Sequence, residues 1–211
     1  MKIIKPRITA QLQETDFQTV LLDEFTELHL AEVKQAVFTN EVLHDLSLSQ
    51  TIIKNSHFTG TDFSGLDLSD VCFENCDFSN ADLSGSSMIR VVFKDCKLLG
   101  TNFSESYIGQ TLFQSSILNM GVFVQTKLEN VLFEETSLEN ADFFDCEFKK
   151  IAFEMCQLNE VHFRETSLKG VDISSSEFET MGVSMEHLKG CIVSREQATY
   201  LSGLLGIRIR E

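Results

Sequence analysis

The feature that most constrains the fold of this chain is a five-residue repeat. From Leu28 to Val193 every fifth residue is apolar, which makes 34 consecutive positions that include 15 of the 18 phenylalanines. Residues 61–85 show the period directly as TDFSG, LDLSD, VCFEN, CDFSN and ADLSG. A period of five matches neither the 3.6-residue period of an α-helix nor the alternation of a half-buried strand. The chain therefore needs a backbone whose geometry repeats every five residues.

A right-angled solenoid provides such a backbone. If each block of five forms one side of a square coil, four blocks make a turn of about twenty residues. The central residue (position i) and the small residue two before it (i−2) then point inward, and positions i−1, i+1 and i+2 point outward. Successive coils stack through strand-like hydrogen bonds at a spacing of about 4.8 Å. The period thus predicts an all-β solenoid, a quadrilateral β-helix over residues 28–193.

The inward positions define the predicted core. All cysteines except Cys72 occupy position i−2, where Ala, Ser and Thr also occur, so we interpret cysteine as a small filler. No Cys-x-x-Cys pair is present, which argues against zinc or thioredoxin-like chemistry, and we expect no metal or cofactor. The predicted core includes Phe63, Phe73, Phe93, Phe103, Phe113, Phe123, Phe133, Phe143, Phe153, Phe163, Cys76, Cys96, Cys146 and Cys156.

The frame changes before the repeat body. Leu12, Phe17 and Leu22 keep the period of five but lie one residue out of phase. We therefore predict that residues 1–27 form an N-terminal coil or cap, with a frame break near Asp23–Glu27.

The last segment, residues 194–211, is not a repeat. Ser194 and Gln197 have the spacing of a helix capping box, and Gly206 is a helix stop. Beyond it Ile207 and Ile209 alternate as a short strand. This segment either caps the open end of the solenoid or also pairs with a second copy in a two-fold dimer. The predicted dimer interface consists of Ala198, Leu201, Leu204, Leu205 and Ile207.

The charge is strongly negative and lies mostly in the repeats. The chain carries a net charge of −15, and residues 28–193 account for −14 of it. Such a surface repels nucleic acid and anionic membranes and attracts basic proteins, so we predict no direct contact with nucleic acid or membrane. The predicted partner surface comprises Asp62, Asp82 and Asp142 in one outward column, and Glu74, Glu134, Glu135 and Glu154 along another side.

One outward column is apolar instead. It reads Ile52, Cys72, Val92, Leu112, Leu132 and Ala152. Apolar side chains in line are typical of a protein-contact surface. An equally good interpretation is that the N-terminal segment folds over part of this column.

Other classes of protein fit the sequence poorly. No apolar run approaches the roughly 18 residues of a membrane span, and the start of the chain is too polar for a signal peptide, so we expect a cytoplasmic protein. The five histidines are scattered, and Gly-x-Ser-x-Gly, P-loop and Gly-x-Gly-x-x-Gly motifs are all absent. A core filled with Phe and Leu leaves no substrate pocket. We therefore expect a protein that is not an enzyme.

The blocks ADLSG, CDFSN, TNFSE and ADFFD resemble the pentapeptide-repeat family, whose motif is A(D/N)LXX. The resemblance covers about 170 residues and implies a right-handed quadrilateral β-helix. The tail run Gln197-Ala198, Leu201 and Leu205-Gly206-Ile207 is similar to that of the Qnr proteins, to which MfpA is related. Many Qnr proteins carry two outward loops, but the unbroken frame here predicts their absence.

The resemblance implies a function as well as a fold. Qnr-type proteins bind DNA gyrase and topoisomerase IV and protect them from quinolones, and their tails join two rods end to end. For this chain we expect an acidic homodimeric rod that acts by mimicking DNA or by recognising the drug-stalled cleavage complex. The alternative is a pentapeptide-repeat scaffold that binds another cytosolic protein through the apolar column.

Overall fold

The chain winds into a four-sided coil flanked by short helices. The computed structural model describes residues 1–9, 11–21, 26–204 and 206–208. A 3₁₀ helix at Phe17–Leu21 precedes the coil, and helices α1 (Met185–Leu188) and α2 (Arg195–Leu204) follow it. The strands are β1 (Gln13–Glu14), β2 (Glu27–His29), β3 (Ala31–Lys34), β4 (Ser47–Lys54), β5 (Asp67–Glu74), β6 (Ser87–Lys94), β7 (Tyr107–Gln114), β8 (Lys127–Glu134), β9 (Glu147–Glu154), β10 (Val161–His162) and β11 (Met181–Gly182).

The register of the sheet follows from the period. Strands β3 to β9 lie side by side in chain order and are parallel, and the residues that pair between neighbouring strands are twenty positions apart, as in Phe73↔Phe93. Each long strand covers two sides of the coil, and single bridges such as Asp62↔Asp82 join the other two. No loop interrupts this register between β4 and β9. The predicted right-handed quadrilateral β-helix is confirmed.

The corners depend on a backbone conformation that the period alone does not reveal. In the described repeats, 24 residues other than glycine have φ between +48° and +60°, and all of them occupy position i+2. This left-handed conformation is uncommon for residues with a side chain and is most tolerable for Asn, Asp and Gly. Ten of those 24 residues are Asn or Asp, and glycine occupies further corners such as Gly65. The left-handed residue ends each side of the square and redirects the chain.

Stacked aromatic rings fill the interior. The rings of Phe93 and Phe113 lie 5.1 Å apart at 3°, whereas Phe103 meets Phe113 edge-on at 6.0 Å. Every central residue from Leu28 to Ile173 is buried except Phe148, which is half-buried. All ten phenylalanines and all four cysteines assigned to the core lie inside.

The small residues at i−2 also tie the coils together. The hydroxyl of Thr61 donates a hydrogen bond to the carbonyl oxygen of Phe38 in the preceding coil at 2.7 Å, and the thiol of Cys146 donates likewise to Phe123 at 2.7 Å. Burial raises the pKa of Cys146 to about 12, so this thiol stays protonated and able to donate. Cysteine therefore fills space and also satisfies a buried carbonyl group.

An aromatic plug closes the first end of the solenoid. Strand β1 pairs with β3 with partners eighteen residues apart, so the first coil is shorter than the others. Phe17 then enters the interior from the 3₁₀ helix, and its ring meets Phe38 and Phe58 edge-on at 5.3 and 5.0 Å. Leu12 is half-buried, while Leu22 and most of the predicted frame break lie outside the described residues.

Helix α2 closes the other end. Ser194 and Gln197 form the capping box, because each side chain accepts a hydrogen bond from the backbone N–H of the other. The amide of Gln197 also donates to the carbonyl oxygens of Ile173 and Ser176, at 2.9 and 2.7 Å. Gly206 has φ +70° after the helix, as its role as a stop requires. Ile207 is not in a strand, so the short strand predicted there does not form at that residue, and Ile209 lies outside the described residues.

Candidate protein-interaction surfaces

The outward side chains lie on four long faces. Faces 1, 2, 3 and 4 are the sides of the coil centred on Leu68, Phe73, Phe78 and Leu83, together with the sides twenty residues before and after each. Faces 2 and 4 lie on opposite sides of the square, as do faces 1 and 3. Strands form faces 1 and 2, and bridges and turns form faces 3 and 4.

The charges are distributed unevenly among these faces. Between residues 26 and 180, face 4 holds eight acidic and one basic residue, and face 3 holds five and one. Face 2 holds seven acidic and three basic residues, whereas face 1 is balanced with five acidic and five basic residues. The adjacent faces 3 and 4 therefore form one continuous acidic surface, while the far corner of the rod is much less negative.

The predicted acids of face 4 are partly used by the fold. The carboxylates of Asp62 and Asp82 accept backbone hydrogen bonds from Ser64 and Ser84, at 3.0 and 2.9 Å. The hydrogen bond from Ser64 holds the pKa of Asp62 below its usual range. Asp142 lies 3.5 Å from Arg164. These three carboxylates stabilise turns or face a cation and are only partly exposed.

A second set of acids on face 4 is more exposed, and the sequence analysis did not select it. These residues occupy the corner position i+2, where the left-handed backbone turns the side chain outward. Their position within the five-residue block could have identified them from the sequence. The set consists of Asp45, Glu105, Asp145 and Glu165.

The predicted glutamates lie on the opposite side of the rod, on face 2. Glu74 lies 3.3 Å from the ammonium group of Lys54, and Glu154 lies 2.6 Å from the amino group of Met1. Glu134 accepts a hydrogen bond from Gln114 at 2.7 Å, and Glu135 is exposed. The structure therefore does not bring the two predicted acidic groups together into one surface.

The N-terminal segment lies along the apolar column. The backbone N–H of Arg7 donates to Asp70 at 2.8 Å, and that of Ile4 donates to Gln110 at 3.2 Å, so residues 1–9 run along the rod between faces 1 and 2. In the column beneath, Val92 and Leu132 are only 9% and 6% exposed although they point away from the interior. Of the two interpretations of this column, the structure supports coverage by the N-terminal segment, which we call the strap (residues 1–9).

The tail exposes only part of the predicted dimer interface. Leu201 is 6% exposed because it packs against the last coil of its own rod, which is a correction to its assignment as a free contact residue. Ala198, Leu204 and Ile207 remain exposed, and Leu205 lies outside the described residues. Tyr200, which the sequence analysis did not select, packs edge-on against Phe178 at 5.6 Å and ties α2 to the rod.

The described part of the chain contains neither a cluster of metal ligands nor a membrane-spanning helix. There, no three side chains of His, Cys, Asp or Glu are grouped to hold a metal ion. Nor is any helix of those residues long and apolar enough to span a membrane.

The geometry defines the class of protein to which the chain belongs. It is a β-solenoid rod with a filled interior, and its polar and charged side chains lie on the outer faces. The chain belongs to the pentapeptide-repeat family. A model described as pentapeptide repeats (8 copies) matches residues 43–80, and a model of the pentapeptide repeat region matches residues 86–163. Together these matches span more than half of the chain.

Several solved structures are similar to this chain at low identity. Trypsin-treated QnrB1, a plasmid-mediated fluoroquinolone resistance protein, is 19% identical with a TM-score of 0.49, covering 84% of this chain and 99% of QnrB1. HetL is a pentapeptide repeat protein involved in heterocyst differentiation regulation in the cyanobacterium Nostoc. It is 14% identical with a TM-score of 0.40, and the match covers 86% of this chain and 98% of HetL. A pentapeptide repeat protein of the Arabidopsis thaliana thylakoid lumen is 19% identical with a TM-score of 0.24, covering 55% and 69%. No curated protein sequence matches the chain significantly.

Proposed function

We propose that this protein binds type II DNA topoisomerases, DNA gyrase and also topoisomerase IV, as an acidic rod that mimics DNA, and protects them from quinolones. The observation that carries the proposal is the continuous acidic surface of faces 3 and 4. The similarity of the tail run to that of the Qnr proteins supports the same role. We place this role in the cytoplasm, with no catalytic step and no cofactor.

The dimensions of the rod agree with such a partner. Eight coils at about 4.8 Å each give a rod of about 40 Å, and two rods joined end to end approach about 80 Å. That length spans on the order of 23 base pairs of DNA. A basic, DNA-binding surface would attract the acidic faces by the same electrostatics that attract it to phosphates.

A supercoiling assay with purified gyrase, ciprofloxacin and this protein tests the proposal. We expect supercoiling to be restored at low protein concentration, because the bound rod opposes the drug-stalled complex, and to be inhibited at high concentration, because the rod competes with DNA. An absence of both effects would contradict the proposal. Restoration without inhibition at any concentration would favour recognition of the drug-stalled complex over mimicry of DNA.

A matched pair of charge reversals identifies the contact face. Glu105→Lys with Glu165→Lys changes exposed corners of face 4, and Glu32→Lys with Asp172→Lys changes face 2 on the side next to face 1 by the same total charge. We expect the face 4 pair to lose protection at least about tenfold, with little effect from the face 2 pair. Equal losses would mean that only the net charge of the rod matters.

The second candidate is a scaffold that binds another cytosolic protein through the apolar column. It is favoured by six outward apolar side chains in one line. Two backbone hydrogen bonds and one terminal ion pair hold the strap that covers them. Under this alternative, Leu112→Lys abolishes partner binding and the face 4 pair does not. The gyrase assay then shows no effect.

A further inference from the structure

The β-ladder opens on face 1 near the end of the rod. Strands β8 and β9 pair there at Leu128↔Phe148 and Glu129↔Lys149. Within the described chain, no backbone hydrogen bond joins residues 147–150 to residues 167–170 of the next coil. Leu168 and Gly170 donate onward in the usual way, to the carbonyl oxygens of His187 and Gly190 at 2.8 and 2.9 Å. The first half of β9 is therefore an open strand edge, although the two coils are joined on either side of it by the Cys146–Thr166 hydrogen bond and the Ala152↔Asp172 bridge.

Phe148 explains the opening. Its ring points inward, 5.7 Å from Phe143 and 6.2 Å from Phe163, yet it is the one central residue between positions 28 and 173 that is only half-buried. A close-packed interior accommodates a larger side chain only by moving a neighbour. The extra bulk therefore keeps residues 167–170 away from β9. The other central residues of this face are smaller or more flexible: Leu28, Leu48, Leu68, Met88, Ile108, Leu128 and Leu168.

A basic groove of about 520 Å³ lies over this open edge. Lys127, Lys149 and Lys169 line it together with Glu129 and Glu147. Lys150 follows Lys149 in the chain. The Lys127–Glu147 and Lys149–Glu129 pairs, at 3.1 and 2.6 Å, involve exposed side chains. Such pairs contribute little and exchange partners readily. The groove thus offers cations on a rod that is otherwise acidic.

Backbone groups at this edge have a defined direction. At the equivalent positions of face 3, the N–H groups of Phe58 and Gly60 donate to the next coil at 2.7 and 2.9 Å. The N–H groups of Phe148 and Lys150 occupy the same positions of their own side and therefore point into the open edge. Unpaired strand donors of this kind are satisfied by an added strand.

We propose that this groove binds an extended acidic peptide of a partner protein, which adds to the open edge of β9 as a strand. The lysines select acidic side chains, and the N–H groups of Phe148 and Lys150 select a peptide backbone. The tail of a second copy is a poor occupant because its end, IRIRE, carries two arginines and one glutamate. This proposal does not depend on the topoisomerase role.

Fluorescence anisotropy with the full chain tests the proposal. The probes are fluorescein-labelled hexapeptides in which Glu or Asp alternates with Val or Ile, compared with a Lys–Val hexapeptide of the same length. We expect saturable binding of the acidic peptides only. Phe148→Leu restores the residue type of the column and closes the edge, so affinity should fall at least about tenfold while the thermal unfolding temperature stays the same or rises. If none of the acidic peptides binds with a Kd below about 1 mM, the proposal is wrong.

Further controls separate a strand from a simple anion site. Lys169→Glu should weaken binding, whereas Lys97→Glu, the same change on face 3, should not. A peptide methylated on its backbone nitrogens should bind weakly because it cannot pair as a strand. Hydrogen exchange should slow at Phe148 and Lys150 on addition of the acidic peptide. Equal binding by the methylated peptide, or full competition by inorganic tripolyphosphate without that slowing, would overturn the proposal in favour of an anion site.

Discussion

At the scale of single residues, the repeat works because identical side chains meet at a fixed spacing. The rings of Phe103 and Phe123 stack at 4.8 Å and 9°, and neither is measurably exposed. Such stacking adds to the stabilisation that comes from burying the rings. Each column can therefore be extended by any coil that places a ring at the same position.

Phe103→Ala should lower the free energy of unfolding by about 3–5 kcal/mol, because it leaves a cavity beside the stacked ring of Phe123. Urea unfolding followed by circular dichroism measures this change. Ser104→Ala, one residue later and outward, should cost less than about 0.5 kcal/mol. Comparable costs at the two positions would show that the inward and outward assignment is wrong.

Asp70 is the residue through which the pH affects both the rod and the strap. It accepts hydrogen bonds from the Arg90 guanidinium at 2.6 and 2.7 Å and from the backbone of Arg7 at 2.8 Å. The hydrogen bonds with Arg90 hold the pKa of Asp70 below its usual range. This stabilisation is present above the unfolded pKa of about 4 and is lost as the pH falls through the lower folded pKa.

Asp70→Asn should therefore lower stability at pH 7 by about 1–3 kcal/mol and should cost less at pH 3. Urea unfolding at the two pH values measures the difference. Asp67→Asn, exposed on the same strand, is the matched control and should change stability little at either pH. A cost at Asp70 that is independent of pH would contradict the ion pair as its origin.

At the scale of elements, α2 is a cap whose attachment depends on one polar side chain. Gln197 is the one donor to the carbonyl oxygen of Ser176 among the described residues, whereas the carbonyl oxygen of Ile173 also accepts from the backbone N–H of Ser176. Leu201 supplies the apolar contact beside it. The helix is thus part of the fold whether or not it also joins two rods.

Gln197→Ala should cost about 1–3 kcal/mol, because it leaves the buried carbonyl oxygen of Ser176 without a donor and removes one of the two hydrogen bonds to Ile173. The unfolding temperature and hydrogen exchange in residues 171–193 are the measurements, and exchange there should accelerate. Thr199→Ala, on an exposed position of the same helix, is the control. An unchanged exchange rate in the last coil would mean that α2 does not cap it.

At the scale of the whole molecule, the rod has an acidic side and exposed apolar side chains at its capped end. Faces 3 and 4 hold thirteen acidic and two basic residues, whereas the strap adds Lys2, Lys5 and Arg7 near the opposite corner. The exposed Leu204, 43% exposed, and Ile207, 53% exposed, lie at the capped end. A dimer joined there would place two acidic sides on one long particle.

Leu204→Asp should convert a dimer into a monomer without lowering the unfolding temperature, because Leu204 is exposed in the single chain whereas Leu201 is not. Light scattering after size-exclusion chromatography measures the mass. Thr199→Asp adds the same charge elsewhere on α2 and should remain dimeric. A monomeric wild-type protein at micromolar concentration would contradict the proposed dimer.

Much of the fold could be predicted from local pattern. The period of five, the inward position of Phe103 and the capping box at Ser194 each depend on residues close in sequence, and the coil repeats one local geometry in every block. The left-handed corners could also have been anticipated from the recurrence of Asn, Asp and Gly at i+2. A repeat in which each coil contacts only its neighbours makes such inference reliable.

The sequence by itself thus determined the solenoid, its core and its negative charge, because these follow from side chains that alternate in and out along a regular backbone. Only the tertiary structure decided that Asp62 stabilises a turn, that Leu201 faces its own rod and that the strap covers Val92. It alone showed the open edge at Phe148. Each of these depends on how parts far apart in the chain meet, and the five-residue period carries no information about those contacts.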